Sequence, residues 1–163
     1  MPQTRCGFDN QPGVSGSNLL SMFGPTLLVD IGFDPSFKIQ THMMEPGVTV
    51  SIPSAPAASI KGVEALVDTG AGDSCIDSLL ASQLNLPIID KQPISGIGGQ
   101  QEADIHLAQI HVPSLAFTLY GVFAAVHLSA GGQRHKALIG RSFLRHFTMV
   151  YEGKTGTVTI SSE

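Results

Sequence analysis

The residues with the clearest chemical potential lie in segment 65–71 (ALVDTGA), where an apolar run ends in a carboxylate, a hydroxyl and a glycine. A carboxylate at the buried end of a strand can act as a general base when nearby donors stabilise its charge. The hydroxyl of Thr69 can hydrogen-bond to neighbouring backbone, and Gly70 lets backbone or substrate approach closely. The segment therefore makes Asp68 a candidate catalytic carboxylate.

Hydrolysis of an amide by carboxylates needs two of them, one to activate water and one to protonate the carbonyl oxygen. Two closely placed Asp side chains meet this need by sharing one proton, because like charges so close together cannot both ionise. This chain has a single Asp-Thr/Ser-Gly triplet, and at the nearest second candidate, Asp30 in segment 29–32 (VDIG), Ile31 replaces the hydroxyl residue. If Asp68 performs this chemistry, the second carboxylate must come from another copy of the chain across a two-fold axis.

Composition and charge exclude several classes of function. The 163 residues suffice for one domain with a substantial core, and a formal net charge of −4 argues against nucleic acid or an anionic membrane as partner. The two cysteines form no CxxC pair and the six histidines form no HExxH motif, so we expect no metal and no other cofactor. The lack of a signal-peptide pattern or a long apolar run predicts a cytoplasmic protein.

The elements that must position the candidate residues are short β-rich segments separated by Gly, Pro, Ser and Asp, which predicts an all-β domain. Residues 1–22 show little apolar periodicity and are predicted to form a flexible N-terminal arm, which leaves 23–163 as the folded domain. Strands are predicted at 26–32, 47–52, 60–67, 104–112, 116–127, 137–139, 148–151 and 157–160, the last two joined as a hairpin. Helices are predicted at 77–85 and 141–146.

A second motif lies much later in the chain, at 138–144 (LIGRSFL). Together with Asp68-Thr69-Gly70-Ala71 it resembles the retropepsins, the retroviral-type aspartic proteases, and their bacterial relatives, over roughly residues 25 to 160. The resemblance implies a retropepsin-like acid protease fold: a single-lobe closed β barrel with one or two short helices, working as a two-fold symmetric homodimer. It further implies an aspartic endopeptidase whose catalytic residues are Asp68, Thr69 and Gly70, with peptide or protein as substrate and the terminal strand in an interface sheet.

The resemblance also implies the surroundings of the catalytic residues. The glycine-rich segment 94–99 (ISGIGG) lies where the family carries its flap, a hairpin that folds over bound peptide. Gly140 and Arg141 would support the site from behind, but Gly72 stands where retroviral members carry the acidic partner of that arginine, and Asp73 comes one residue later. The residues expected to bind substrate are Ala71, Gly72, Asp73, Ile94, Gly96, Ile97, Gly98, Gly99 and Ile139.

The sequence leaves alternatives open. The chain could be a catalytically inactive module of the same fold, used for dimerisation or peptide binding, which would form dimers that bind peptide without turnover. It could also be a protease that is monomeric at rest, whose specific activity rises with its concentration. Segment 94–99 could be an ordinary loop, and the additional segment 42–59, compared with compact viral members, could cover an edge of the site or extend the dimer interface.

Overall fold

Short β-strands make up most of the computed structural model, which describes residues 1–34, 49–52, 55–56, 58–96 and 99–162. Its helices are α1 (Gly16–Phe23), α2 (Ser78–Gln83) and α3 (Arg141–Leu144), with a 3-10 turn at Pro113–Leu115. Its strands are β1 (Gln3–Arg5), β2 (Thr26–Gly32), β3 (Thr49–Ile52), β4 (Ser59–Val67), β5 (Cys75–Asp77), β6 (Ile88–Gly96), β7 (Gly99–Val112), β8 (Phe117–Val126), β9 (Ala137–Ile139), β10 (Thr148–Glu152) and β11 (Thr157–Ser161).

Six of these strands close into a barrel. The main sheet has the order β3-β8-β5-β9-β4-β2-β7-β6, and an additional pairing of β7 with β8 joins its two halves. The closed ring is therefore β8-β5-β9-β4-β2-β7, with β3 and β6 attached outside it. This mostly β architecture with few helices confirms the predicted all-β class and closed barrel.

Alternation of apolar side chains along the strands fills the barrel. In β4, Val63, Ala65 and Val67 are buried while the residues between them are partly exposed. Because successive side chains of a strand point to opposite faces, one face of β4 packs into the core and the other does not. The largest fully buried side chains are Tyr120, Phe123, Phe143, Leu20, Leu27, Ile31, Ile76, Ile110, Leu119, Ile139, Ile160 and Gln109.

Most predicted elements are present, with shifted ends. Strands β2 and β9 have the predicted bounds, whereas β7 begins at Gly99 rather than at residue 104 because its first residues pair with β6. The helices predicted at 77–85 and 141–146 are shorter, at Ser78–Gln83 and Arg141–Leu144. Strand β5 was not predicted, and most of segment 42–59 lies outside the described residues.

The predicted flexible arm at residues 1–22 is wrong. Residues 3–5 form β1, which pairs with β11, and Ser15 caps α1 by accepting a hydrogen bond from the Asn18 N–H at 3.1 Å. Cys6 and Leu20 are both buried in the main core. These elements are too short to show periodicity in the sequence, and pairing with the far end of the chain gives them their order.

A separate three-stranded sheet has the order β1-β11-β10. The predicted hairpin is confirmed, since β10 and β11 pair antiparallel from Thr148↔Ser161 to Glu152↔Thr157. Strand β11 lies between its two neighbours, so the free edges of this sheet belong to β1 and β10. No helix in the described part of the chain is long and apolar enough to cross a membrane.

Candidate functional site

The topology of the barrel brings the two sequence motifs together. Strands β4 and β9 are parallel, with Val67 paired to Ile139 at their ends. Because the carboxyl ends of parallel strands meet at one edge, Asp68 and Gly140 follow their strands at the same place. The Asp68 N–H donates to the Ile139 carbonyl at 2.9 Å, which fixes the start of one motif against the other.

The Asp68 carboxylate is half-buried and held by its own turn. Its Oδ1 accepts a hydrogen bond from the Gly70 N–H at 2.9 Å, and its carbonyl accepts one from Ala71 at 3.2 Å. A Cβ at Gly70 would lie 3.1 Å from the same Oδ1 and would crowd it. Thr69 is exposed, and its hydroxyl has no hydrogen-bond partner among the described residues. One face of this turn is thus open for further contacts.

The Gly140–Arg141 segment lies behind this turn. The Arg141 guanidinium donates from Nη1 to the Thr69 carbonyl at 2.8 Å, and the Arg141 N–H donates to the Ala71 carbonyl at 2.9 Å. A Cβ on Gly140 would lie 2.6 Å from the Asp73 carbonyl oxygen, so this close backbone approach requires a glycine. The second motif thus fixes the backbone of the first.

The pairing of Asp73 with Arg141, left open by the sequence, is not formed. No ion pair joins these two side chains among the residues that the structure describes, and Asp73 is exposed. The arginine is oriented by the Thr69 carbonyl instead. Asp73 therefore keeps its carboxylate free to face the cleft beside the turn.

A cleft of about 650 Å³ begins at this turn. Among the predicted site residues it is lined by Gly70, Ala71, Gly72, Asp73, Ile94 and Gly99. Further lining residues, which the sequence did not identify, are Ser74, Cys75, Gln92, Ser95, Gln101, Ile105, Val122, Ala124, Val126, Leu128 and Leu138. Apart from Asp73, every described lining side chain is uncharged.

The glycine-rich segment forms the end of a long hairpin at the cleft. Strands β6 and β7 pair from Ile88↔His106 to Gly96↔Gly99, and Gly99 has a φ of 99°, which favours glycine. Ile94 and Gly99 line the cleft, whereas Ile97 and Gly98 lie outside the described residues. The hairpin therefore forms one wall of the cleft.

The opposite wall is one row of side chains across four strands. Ile105 of β7 pairs with Ala124 of β8, Ala124 with Cys75 of β5, and Cys75 with Leu138 of β9. All four line the cleft. The sequence predicted three of these strands but neither β5 nor the register, and register decides which residues form the row.

The prediction that Ile139 binds substrate is wrong. Its side chain is fully buried in the main core, and the adjacent Leu138 lines the cleft. Successive side chains on β9 face opposite sides, so only one of the two residues can reach the cleft.

Neither Cys75 nor Asp30 supplies further chemistry at Asp68. Burial raises the pKa of Cys75 to about 12, with additional increases from the charges of Asp68 and Asp73, so the thiol remains protonated and is a poor nucleophile. Asp30 accepts a hydrogen bond from the Gly62 N–H at 3.0 Å and lines a different groove. No three His, Cys, Asp or Glu side chains of the described residues gather as metal ligands.

A family model matches the part of the chain that holds this site. The model of a family described as gag-polyprotein putative aspartyl protease matches residues 58–146, more than half of the 163 residues. The matched region contains Asp68, the hairpin, and the Gly140–Arg141 segment. No curated protein matches the chain.

Proposed function

The chain belongs to the gag-polyprotein aspartyl protease family, and on this premise we propose that it is an aspartic endopeptidase that works as a symmetric homodimer. Each subunit contributes one Asp68 to a catalytic pair on the two-fold axis. The substrate is a peptide segment bound in the cleft between the turn and the β6–β7 hairpin. No metal or organic cofactor takes part.

The observation that carries this proposal is the meeting of the two motifs at the ends of β4 and β9. It places a half-buried carboxylate, braced by Gly70, beside a cleft of about 650 Å³. Clefts of this size, mostly apolar with few polar groups, are typical of binding sites for small molecules and peptide side chains. A turn held rigidly from behind by Arg141 also keeps the carboxylate in one orientation, as catalysis requires.

Two features of the single chain support a partner at the site. The exposed Thr69 hydroxyl, without a partner among the described residues, is free to donate across a dimer axis to the backbone of the second subunit. On the separate sheet, the outer edge of β10 is unpaired within the described chain, and its Val150 and Tyr151 are about half exposed, at 50% and 53%. A second copy of the chain can pair along this edge, and in this proposal the same association brings the second Asp68 to the site.

The reaction needs one proton shared by the two Asp68 carboxylates. The ionised carboxylate removes a proton from water while the oxygen of that water bonds to the substrate carbonyl carbon, and the protonated carboxyl gives its proton to the carbonyl oxygen. The tetrahedral intermediate then collapses: the C–N bond breaks, the leaving nitrogen takes a proton from one carboxyl of the pair, and a hydroxyl of the intermediate gives its proton to the other carboxylate. A carboxylic acid and an amine leave, and the pair again holds one proton. Because only the singly protonated pair is active, turnover should be best in mild acid.

Digestion of a peptide library from mildly acidic to neutral pH, read by mass spectrometry, tests this proposal. The wild type is compared with Asp68→Asn and with Asp30→Asn, a matched change in a carboxylate that lines another groove. We expect wild type and Asp30→Asn to cleave the same bonds, and Asp68→Asn to cleave none. Peptide binding by a folded wild-type dimer without cleavage would instead support an inactive binding module. Cleavage that survives Asp68→Asn would contradict the assigned site.

A further inference from the structure

Two polar residues next to the cleft, Asp77 and Ser78, hold the loop that carries one of the residues lining the cleft, and we call this pair the polar clamp. Leu128 lies in the loop between β8 and β9, and its side chain lines the cleft. The residues on both sides of it, His127 and Ser129, are bound by two consecutive residues, Asp77 and Ser78, where β5 meets α2. Asp77 and Ser78 do not themselves line the cleft.

On one side of Leu128 the clamp is a buried carboxylate. The Asp77 side chain accepts hydrogen bonds from the Ser129 N–H at 2.9 Å and from the Ser129 hydroxyl at 2.6 Å. The Lys136 ammonium donates to the same hydroxyl oxygen at 2.6 Å. Asp77 is only 1% exposed, so its charge depends on these partners and holds the loop firmly.

On the other side the Ser78 hydroxyl and the His127 Nδ1 are 2.8 Å apart. The loop also closes on itself, because the Gln133 N–H donates to the Leu128 carbonyl at 2.9 Å and the Leu128 N–H donates to Val126 at 3.0 Å. Hydrogen bonds to both neighbours of Leu128, and others within the loop, therefore fix the backbone of Leu128. A side chain on a fixed backbone can discriminate between ligand shapes, because the loop does not move aside at low cost.

We propose that Leu128 is a specificity-determining residue of the cleft and that Asp77 and Ser78 are its positioning residues. This inference rests on the proposed protease function and concerns the residue that sets its selectivity. Leu128 lines the same cleft as Val126 and the row Ile105, Ala124, Cys75 and Leu138, so it is one of the apolar groups available to a substrate side chain there. No described lining residue is cationic, and Asp73 is anionic, so the cleft disfavours Asp and Glu.

The first test replaces the apolar side chain at position 128 with a cationic one. Leu128→Lys places a cation there, and library cleavage by this variant is compared with wild type and with Leu28→Lys, the same change at an exposed residue outside the cleft. We expect Leu128→Lys to raise the preference for acidic over aliphatic residues at one substrate position by about tenfold or more, the scale on which one pocket group alters selectivity. Leu28→Lys should leave the profile unchanged.

The second test separates positioning from general stability. In Asp77→Asn and in the milder Ser78→Ala, a released Leu128 should raise KM for the preferred substrate and reduce selectivity, as Leu128→Ala does, with kcat nearly unchanged. A merely structural role would lower the active fraction, so kcat would fall at constant KM and selectivity. If Asp77→Asn does not fold, Ser78→Ala provides the same comparison.

The outcomes distinguish the two proposals. Asp68-dependent cleavage with the same profile in wild type and Leu128→Lys would overturn the specificity role while leaving the protease function intact. Unchanged KM and selectivity in Ser78→Ala would overturn the positioning role. Absence of any Asp68-dependent cleavage by the wild type would overturn the proposed function, and this inference with it.

Discussion

Gly140 occupies a position where even a methyl group has no room. A Cβ there would lie 2.6 Å from the Asp73 carbonyl oxygen and 2.9 Å from that of Ala71. Both oxygens belong to backbone, so relief would require the turn after Asp68 to move. The orientation of the Asp68 carboxylate therefore depends on a residue that carries no functional group.

We predict that Gly140→Ala lowers the free energy of unfolding by about 1–3 kcal/mol, the usual cost of overpacking a tight site. Thermal or urea denaturation measures this change. Gly72→Ala is the matched control, because a Cβ at Gly72 would meet the Arg141 guanidinium only at an ordinary 3.6 Å. Equal stability of Gly140→Ala and wild type would show that the turn is not packed as described.

At the scale of residues, chemistry was more predictable from sequence than position. The residue types in Asp68-Thr69-Gly70 and Gly140-Arg141 pointed to the candidate site through their resemblance to the retropepsin motifs, and the structure brings the two motifs together. Leu128 and Ala124 gave no such signal, since an apolar residue in a strand or loop looks the same whether it faces the core or a cleft. Ile139 was predicted to line the cleft in place of Leu138 for the same reason, because a step of one residue along a strand moves the side chain to the opposite face of the sheet.

Asp77, the last residue of β5 before α2, makes the stability of the fold depend on pH. Burial acts to raise its pKa, but hydrogen bonds from Ser129 and Leu80 and the charge of Lys136 outweigh burial, so the pKa is lowered below the ordinary value. A carboxyl with a lowered pKa in the folded state stabilises the fold above its unfolded pKa, about 3.9, and loses this contribution as pH falls through the folded value.

We therefore predict that Asp77→Asn is less stable than wild type by about 1–3 kcal/mol at neutral pH, because the partly buried Ser129 and Lys136 lose a charged partner. Below about pH 4 the difference should shrink as the wild-type carboxyl becomes protonated. Urea denaturation of both proteins at neutral pH and near pH 3 measures the difference. A difference in unfolding free energy between the two proteins that is the same at both pH values would contradict the role of the Asp77 charge.

The N-terminal elements are part of the barrel's stability. Leu20 of α1 is 1% exposed and packs in the main core, whereas Met22, two residues later, is 68% exposed. We predict that Leu20→Ala costs about 2–5 kcal/mol of unfolding free energy, the range for a buried leucine. Met22→Ala should change it by less than about 0.5 kcal/mol. Equally small changes in unfolding free energy for Leu20→Ala and Met22→Ala, measured by denaturation, would restore the interpretation of residues 1–22 as a flexible arm.

At the scale of elements, the sequence predicted strands with an apolar pattern of their own better than strands without one. The three apolar residues of β9 were predicted, whereas the nine-residue β6, which contains Asp90, Lys91 and Gln92, was not. Strand β2 has seven residues and its own alternation, and both of its predicted ends agree with the structure. Strands β1 and β5 have three residues each. Three residues are too few to show a period, so pairing with β11, β8 and β9 decides their conformation.

For the whole molecule, composition and pattern predict the all-β class and the resemblance to the retropepsins implies the closed barrel, but the single chain does not show the assembly. The two-fold arrangement is inferred from chemistry: one triplet in the sequence, and two carboxylates needed by the reaction. The exposed Thr69 turn and the free edge of β10 are the features of the single chain that remain available for such contacts. The dimer is thus a prediction that activity itself can test.

The most direct test of the central claim is the activity of wild type mixed with an excess of Asp68→Asn. If each active site takes one Asp68 from each of two chains, mixed dimers are inactive because they lack one member of the pair. With a tenfold excess of the variant and full subunit exchange, activity should fall to roughly one tenth, as random pairing requires. An equal mass of inert protein is the control. Activity that depends only on the amount of wild type added would contradict the shared site.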